Sequence, residues 1–126
     1  MLKKFQGEWK RDGNTVEMNL PVMFFEDEGI QIAYIPVLDL SGYGKNEKEA
    51  SDSLIVAINE YFTYTVRKNT LIDDLKAHGW TVKKKSRPYI APEITDLINK
   101  NEYLHDIVNT KAYSVKRMPV NIPQYA

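Results

Sequence analysis

The chain has 126 residues, 43% of them hydrophobic and 27% charged, and its seventeen basic and seventeen acidic side chains cancel to a formal net charge of zero. That balance fits one domain, residues 1–126, with a buried core; it argues against a disordered chain and against nucleic-acid binding by bulk positive charge. The absence of cysteine excludes disulfides, a thiolate nucleophile and sulfur-ligated zinc, and with neither a signal-peptide core nor an apolar run of ~18 residues the expectation is a cytoplasmic protein.

In chain order, "KKFQGEWKRDGN" reads as a first strand running into a hairpin marked by Asp-Gly. Val16, Met18, Leu20, Val22 and Phe24 recur with period two and predict a second strand. Pro21 within it cannot donate to a ladder, which suggests an edge or a bulge. The acidic turn "EDEG" at 26–29 leads into a third alternating run, Ile30, Ile32 and Tyr34, that stops at Pro36. A glycine-marked turn follows.

A helix then begins at Asn46, whose side chain can accept a backbone N–H, with Glu49 three places on completing a capping box. Ala50, Leu54, Ala57, Ile58, Tyr61 and Thr65 give it a wide apolar stripe. Thr70 with Asp73 reads as a second cap, so the region is one kinked helix or two, with Gly79 placed to end it in a left-handed turn. "TVKKKSRPYI" predicts an edge strand guarded by Lys83, Lys84 and Lys85. "PEITDLINKNEYLHDIVN" predicts a shorter helical region, and "AYSVKRMPVNIP" a final strand that Pro119 and Pro123 assign to an edge or to another subunit. The expected class is α+β, a mainly antiparallel sheet packed against a long helix in the order β-β-β-α-β-α-β.

The segments "FFEDEGIQIAYIP" and "GKNEKEA" place a strand, an acidic-glycine turn, a strand ending in proline and Gly-x-x-x-x-Glu-Ala at a helix start. This resembles the HicB antitoxin family over about residues 16–68, with a C-terminal strand-helix-strand, 81–123, beyond it. The resemblance implies a degraded RNase H-like fold that binds and blocks HicA, a small ribonuclease toxin with a double-stranded-RNA-binding-domain-like fold, without catalysis and without cofactor. The residues that carry it are Pro36, Gly44, Asn46, Glu49 and Ala50, and each has an architectural use: ending a strand, permitting a turn, capping a helix, allowing close approach. Many relatives add a C-terminal DNA-binding unit, whereas only Gln124, Tyr125 and Ala126 follow the last strand here, so specific DNA binding is not expected.

Partner contacts are expected at the acidic turn, Glu26, Asp27 and Glu28, which could steer a basic toxin, and at Tyr43. Against this stands the plainer use of such a turn as a solvated hairpin tip. A metal-dependent nuclease would instead gather carboxylates, with Glu17, Asp39, Glu49 and Glu60 as candidates. Their spacing follows no ligand signature, and Glu49 already has a capping use. His78 and His105 read as surface or helix-end residues, and the run from Lys83 to Arg87 as edge guards before phosphate contacts. Tyr34, Tyr61 and Tyr64 suit a half-buried core better than base stacking. A homodimer or higher oligomer through the final strand is the expected assembly, with the same domain acting alone, without a toxin, as the alternative.

Overall fold

The computed structural model describes residues 15–83 and 89–124. The period-two run becomes β1 (Thr15–Asp27), joined to β2 (Ile30–Ile35) by a two-residue turn in which Glu28 and Gly29 have φ of 49° and 82°. Two successive left-handed residues make the type I′ hairpin whose twist matches its strands. Pro36 closes β2, and the hydrogen bonds Leu38 N to Ile35 O and Asp39 N to Pro36 O turn the chain back. The next segment, expected to be a turn, is instead a strand, β3 (Leu40–Gly44), paired antiparallel with β2. Its glycines misled the reading: neither Gly42 nor Gly44 has a positive φ among the described residues, and both serve close approach rather than turning.

Then follow α1 (Glu47–Lys68), α2 (Leu71–Ala77), β4 (Thr81–Val82), β5 (Tyr89–Ile90), α3 (Ile94–Ile98), α4 (Glu102–Thr110) and β6 (Tyr113–Pro123). The helical region 47–77 is two helices. Asn69 at φ 60° caps α1 in the left-handed conformation, and Thr70 makes no side-chain cap bond. Gly79, at φ 94°, ends α2 as expected, with Gly79 N bonded to Lys76 O and Trp80 N to Leu75 O, the paired bonds of a Schellman motif. The expected edge strand after Trp80 is two short strands that form a separate two-stranded sheet, so Lys83 does not guard the main sheet, while Lys84 and Lys85 lie outside the described residues. The first expected strand and hairpin, around Phe5 and Trp9, and residues 84–88 lie outside the described residues.

The main sheet is antiparallel, in the order β3-β2-β1-β6. Its α+β class is as expected. A two-residue hairpin makes Asp27 and Ile30 a hydrogen-bonded pair, which sets the phase of the whole sheet. Odd-numbered residues of β1 therefore bond toward β2, and even-numbered ones toward β6. In the continuous β1–β6 register, Thr15 pairs with Pro123, Asn19 with Pro119 and Pro21 with Arg117. Every proline falls on the phase that needs no N–H between these strands. Pro21 thus sits inside a central strand, at a level that β2 does not reach, rather than on an edge strand. Arg117 Nη1 donates to Asn19 O (3.1 Å).

Both faces of the sheet are covered. Leu20, Val22, Phe24, Ala33, Ile35, Val120 and Ile122 face α1, α2 and Trp80. Met23, Phe25, Ile32 and Tyr34 face Leu104 and Ile107 of α4. On α1 the buried line is Ala50, Leu54, Ile58, Phe62 and Thr65. Tyr61, expected on that line, is half-buried at its flank and donates its hydroxyl to Asp74 of α2.

Candidate protein-interaction surface

Four of the residues that carry the resemblance, Gly44, Asn46, Glu49 and Ala50, meet at the corner where β3 enters α1, whereas Pro36 closes β2 at the other end of β3. Asn46 Oδ1 accepts from Glu49 N (2.9 Å), and Glu49 Oε1 accepts from Lys45 N (2.8 Å), so the capping box forms with its return bond one residue early. Ala50 is fully buried. A Cβ at Gly44 would stand 2.4 Å from the Glu49 Cβ and 2.7 Å from Ala50 N. Gly42 is more constrained still: a Cβ there would stand 2.2 Å from Leu54 N and 2.3 Å from Ala50 O. The corner also closes the outer edge of β3, since Tyr43 N donates to Ser53 Oγ (3.1 Å). Replacing Ala50 with Leu is expected to overpack this contact and cost roughly 1–3 kcal/mol. Thermal unfolding checks it, and an unchanged midpoint would place Ala50 elsewhere than against the sheet.

The opposite face carries three exposed aromatic groups, Tyr43, Tyr103 and Tyr113. The register lines up Tyr113, Phe25, Ile32 and Tyr43 in one row across the sheet, and Val115, Met23, Tyr34 and Ser41 in the next. Helix α4 covers the middle of both rows and leaves Tyr43 and Tyr113 showing, at 57% and 41% exposure. Tyr103 of α4 lies edge-on to Tyr34 (4.9 Å) and to Phe25 (6.5 Å). Burial, then the neighbouring Tyr43, push its phenol above the ordinary tyrosine value.

Beneath it the buried Tyr34 hydroxyl donates to Asp39 Oδ1 (2.6 Å) and accepts from Asn101 Nδ2 (2.8 Å). Burial first, and the Asp39 carboxylate second, raise the Tyr34 pKa, so this phenol stays protonated as a donor. Asn101 in turn caps α4 by accepting from Leu104 N (3.0 Å). One network therefore ties the β2–β3 turn, with Asp39 at φ 55°, to the start of α4. An open groove of about 1400 Å³ runs beside it, lined by Asp39, His78, Glu93, Asp96, Glu102 and Tyr103 among others.

The acidic turn is at the end of the sheet next to the Tyr43 row, with Asp27 on the face of Tyr43 and Glu26 on the α1 face. Asp27 is paired with Lys111 (3.0 Å), and Glu26 Oε1 accepts from Gln31 Nε2 (3.3 Å), one register row from Tyr43. Glu28 is exposed at the tip. The structure thus places Glu26, Asp27, Glu28 and Tyr43 at one end of the sheet.

The carboxylates weighed for nuclease chemistry are dispersed. Glu17 is exposed on β1, Asp39 is engaged by Tyr34, Glu49 caps α1, and Glu60 is exposed on its outer side. Among the described residues no group of three or more His, Asp or Glu side chains could hold a metal ion. His78 Nδ1 is bonded to Asp74 O (2.8 Å) at the end of α2, and His105 is exposed on α4. Tyr64 is exposed on α1.

Sequence reasoning missed Gly42, Asn101 and Tyr103. The pattern Asn101-x-x-Leu104 was a readable cap signal, but the pairing of Asn101 with Tyr34, 67 positions away, had none.

No family model and no solved structure matches the chain. It is similar to a glutamate–tRNA ligase of Pelagibacter ubique (strain HTCC1062), at 32% identity over 85 residues, which is 64% of this chain and 18% of that protein. The chain therefore spans less than a fifth of the length of the relative it matches. No helix among the described residues is long and apolar enough to cross a membrane.

Proposed function

We propose that the chain is a HicB-like antitoxin domain, a degraded RNase H-like unit that neutralises a small HicA-like mRNA-cleaving toxin by covering it. The observation that carries this is the β3–α1 corner. Gly44, Asn46, Glu49 and Ala50 all act there as architecture, and Glu49, one of the four carboxylates weighed for nuclease chemistry, is consumed by capping. The antiparallel sheet with α1 across one face supports the RNase H-like description.

The toxin side of the reading rests on charge and aromatic exposure. An RNA-binding toxin is basic where it holds phosphate, and Glu26 and Glu28, without an ion pair among the described residues, stand at the end of a sheet whose one face shows Tyr43 and Tyr103. Exposed tyrosines with an acidic rim suit docking onto such a surface.

Co-expression with a HicA-like toxin, followed by purification and an RNA-cleavage assay, tests this. A stable complex that suppresses cleavage is expected, weakened at least tenfold, about 1.4 kcal/mol, by the double variant Glu26→Lys, Glu28→Lys. Free cleavage in the presence of the chain would overturn it. So would metal-dependent hydrolysis of RNA by the chain itself that is lost on Asp39→Asn or Glu60→Gln. A second reading, a portable domain acting without a toxin, draws on the partial match to a much longer protein; it predicts no complex in the same purification.

A further inference from the structure

The two edges of the main sheet are not alike. The edge at β3 is closed by Ser53 on Tyr43 N. Among the described residues the edge at β6 is closed only at its C-terminal end, where Val120–Pro123 are buried and the Tyr89 hydroxyl donates to the Pro123 carbonyl. From Tyr113 to Arg117 every residue of β6 is exposed.

The sheet's phase decides what that stretch offers. Even-numbered residues of β6 bond to β1, so the N–H and C=O groups of Tyr113, Val115 and Arg117 point outward. The ladder they can form is bounded on both sides. The strand starts at Tyr113, and Pro119, the next outward position after Arg117, has no N–H. Val115 is the midpoint of this window. It is also 54% exposed, a β-branched residue with no cover.

The geometry points to a second copy of this chain as the occupant, its β6 paired antiparallel to the first about a two-fold axis through Val115. Tyr113 then faces Arg117 of the second copy and Val115 faces its own counterpart. Each outward donor meets an acceptor, which an isologous interface requires.

Charge selects the direction. A parallel pairing would set the Lys116-Arg117 dipeptides side by side. The antiparallel one separates the two Arg117 residues by about 14 Å along the strands at ~3.4 Å per residue, beyond the ~8 Å screening length at physiological salt. Lys116 is already neutralised by Glu47 (2.6 Å) and lies 5.5 Å over the Phe24 ring, on the other face. The two four-stranded sheets become one continuous sheet whose remaining edges are the β3 strands closed by Ser53.

Val115→Pro tests this without touching the β1–β6 ladder, because the N–H it removes points outward, as those of Pro119 and Pro123 would. Light scattering should show a dimer for the full chain and a monomer for Val115→Pro with an unchanged far-ultraviolet circular dichroism spectrum. Val115→Lys keeps the N–H, sets two ammonium groups across the axis and should also be monomeric, which covers the case of a proline that disturbs the strand. A nitroxide on Val115→Cys should show strong dipolar broadening, since directly opposed residues in such a pair lie about 5.5 Å apart; one on Tyr43→Cys should show none. A monomeric full chain, a Val115→Lys dimer, or a dimer without broadening at position 115 would each overturn the pairing.

Discussion

Gly42→Ala is expected to cost about 3 kcal/mol or more, at the top of the range for overpacking, and to lower the thermal midpoint by roughly 10 °C or more. The atoms in the way are backbone. A Cβ would lie 2.2 Å from Leu54 N, 2.3 Å from Ala50 O and 2.7 Å from the Leu54 Cα, and no rotamer change can move them. Helix α1 could yield only by lifting away from β3, which would open the fully buried contacts of Ala50 and Leu54. Gly29→Ala is the control. Its φ of 82° makes alanine strained, yet nothing stands within 4 Å of the new methyl. Only the left-handed penalty of about 1–2 kcal/mol applies. If Gly42→Ala melts at or above Gly29→Ala in thermal unfolding followed by circular dichroism, α1 does not rest on β3 as described, and the corner that supports the functional reading fails with it.

The contrast between these glycines shows what the sequence could and could not convey. Gly29 stood in an acidic turn between two alternating runs, a local signal, and its positive φ was readable. Gly42 lay in "LSGYG", where glycine density looked like a turn. Its use depends on a helix that presses the backbone of Ala50 and Leu54, eight and twelve residues on, against the strand. Asn46, Glu49 and Gly79 were legible for the same reason as Gly29, because each bonds within a few residues of itself. Pro21 was misread because strand position depends on the partner's reach: β2 stops pairing at Met23, so a central strand is locally open at Pro21. The second covered face escaped notice as well. Met23 and Phe25 alternate with Val22 and Phe24, so a run of apolar residues in β1 was there to see, and a continuous run signals burial on both sides. Periodicity alone names no cover. The candidate surface was half legible in consequence: the acidic turn and Tyr43 announce themselves as charge and exposed aromatic, whereas the Tyr34–Asp39–Asn101 network joins distant parts of the chain.

Ile107→Ala tests that second face, with an expected cost of roughly 3–4 kcal/mol from within the ordinary range for a buried isoleucine truncated to alanine. Ile107 is fully buried with Leu104, packed against Met23, Phe25, Ile32 and Tyr34. Helix α4 has only nine residues, too few to persist in water on propensity alone, so its packing and its Asn101 cap must hold it. Truncating Ile107 leaves a cavity over the middle of the sheet and loosens that attachment. Because Asn101 both caps α4 and donates to Tyr34, the Tyr34→Phe variant should couple to Ile107→Ala. The double variant should lose less than the sum of the singles, since a helix already loosened no longer draws on the Tyr34 bond. Val108→Ala, on a half-buried neighbour, should cost about 1 kcal/mol or less and mark the floor of the scale. Chemical denaturation of the four variants reads all of these values. A cost for Ile107→Ala near that of Val108→Ala would mean that α4 is not seated on the sheet, and Tyr103 would then have no fixed place beside Tyr43 from which to present a docking surface.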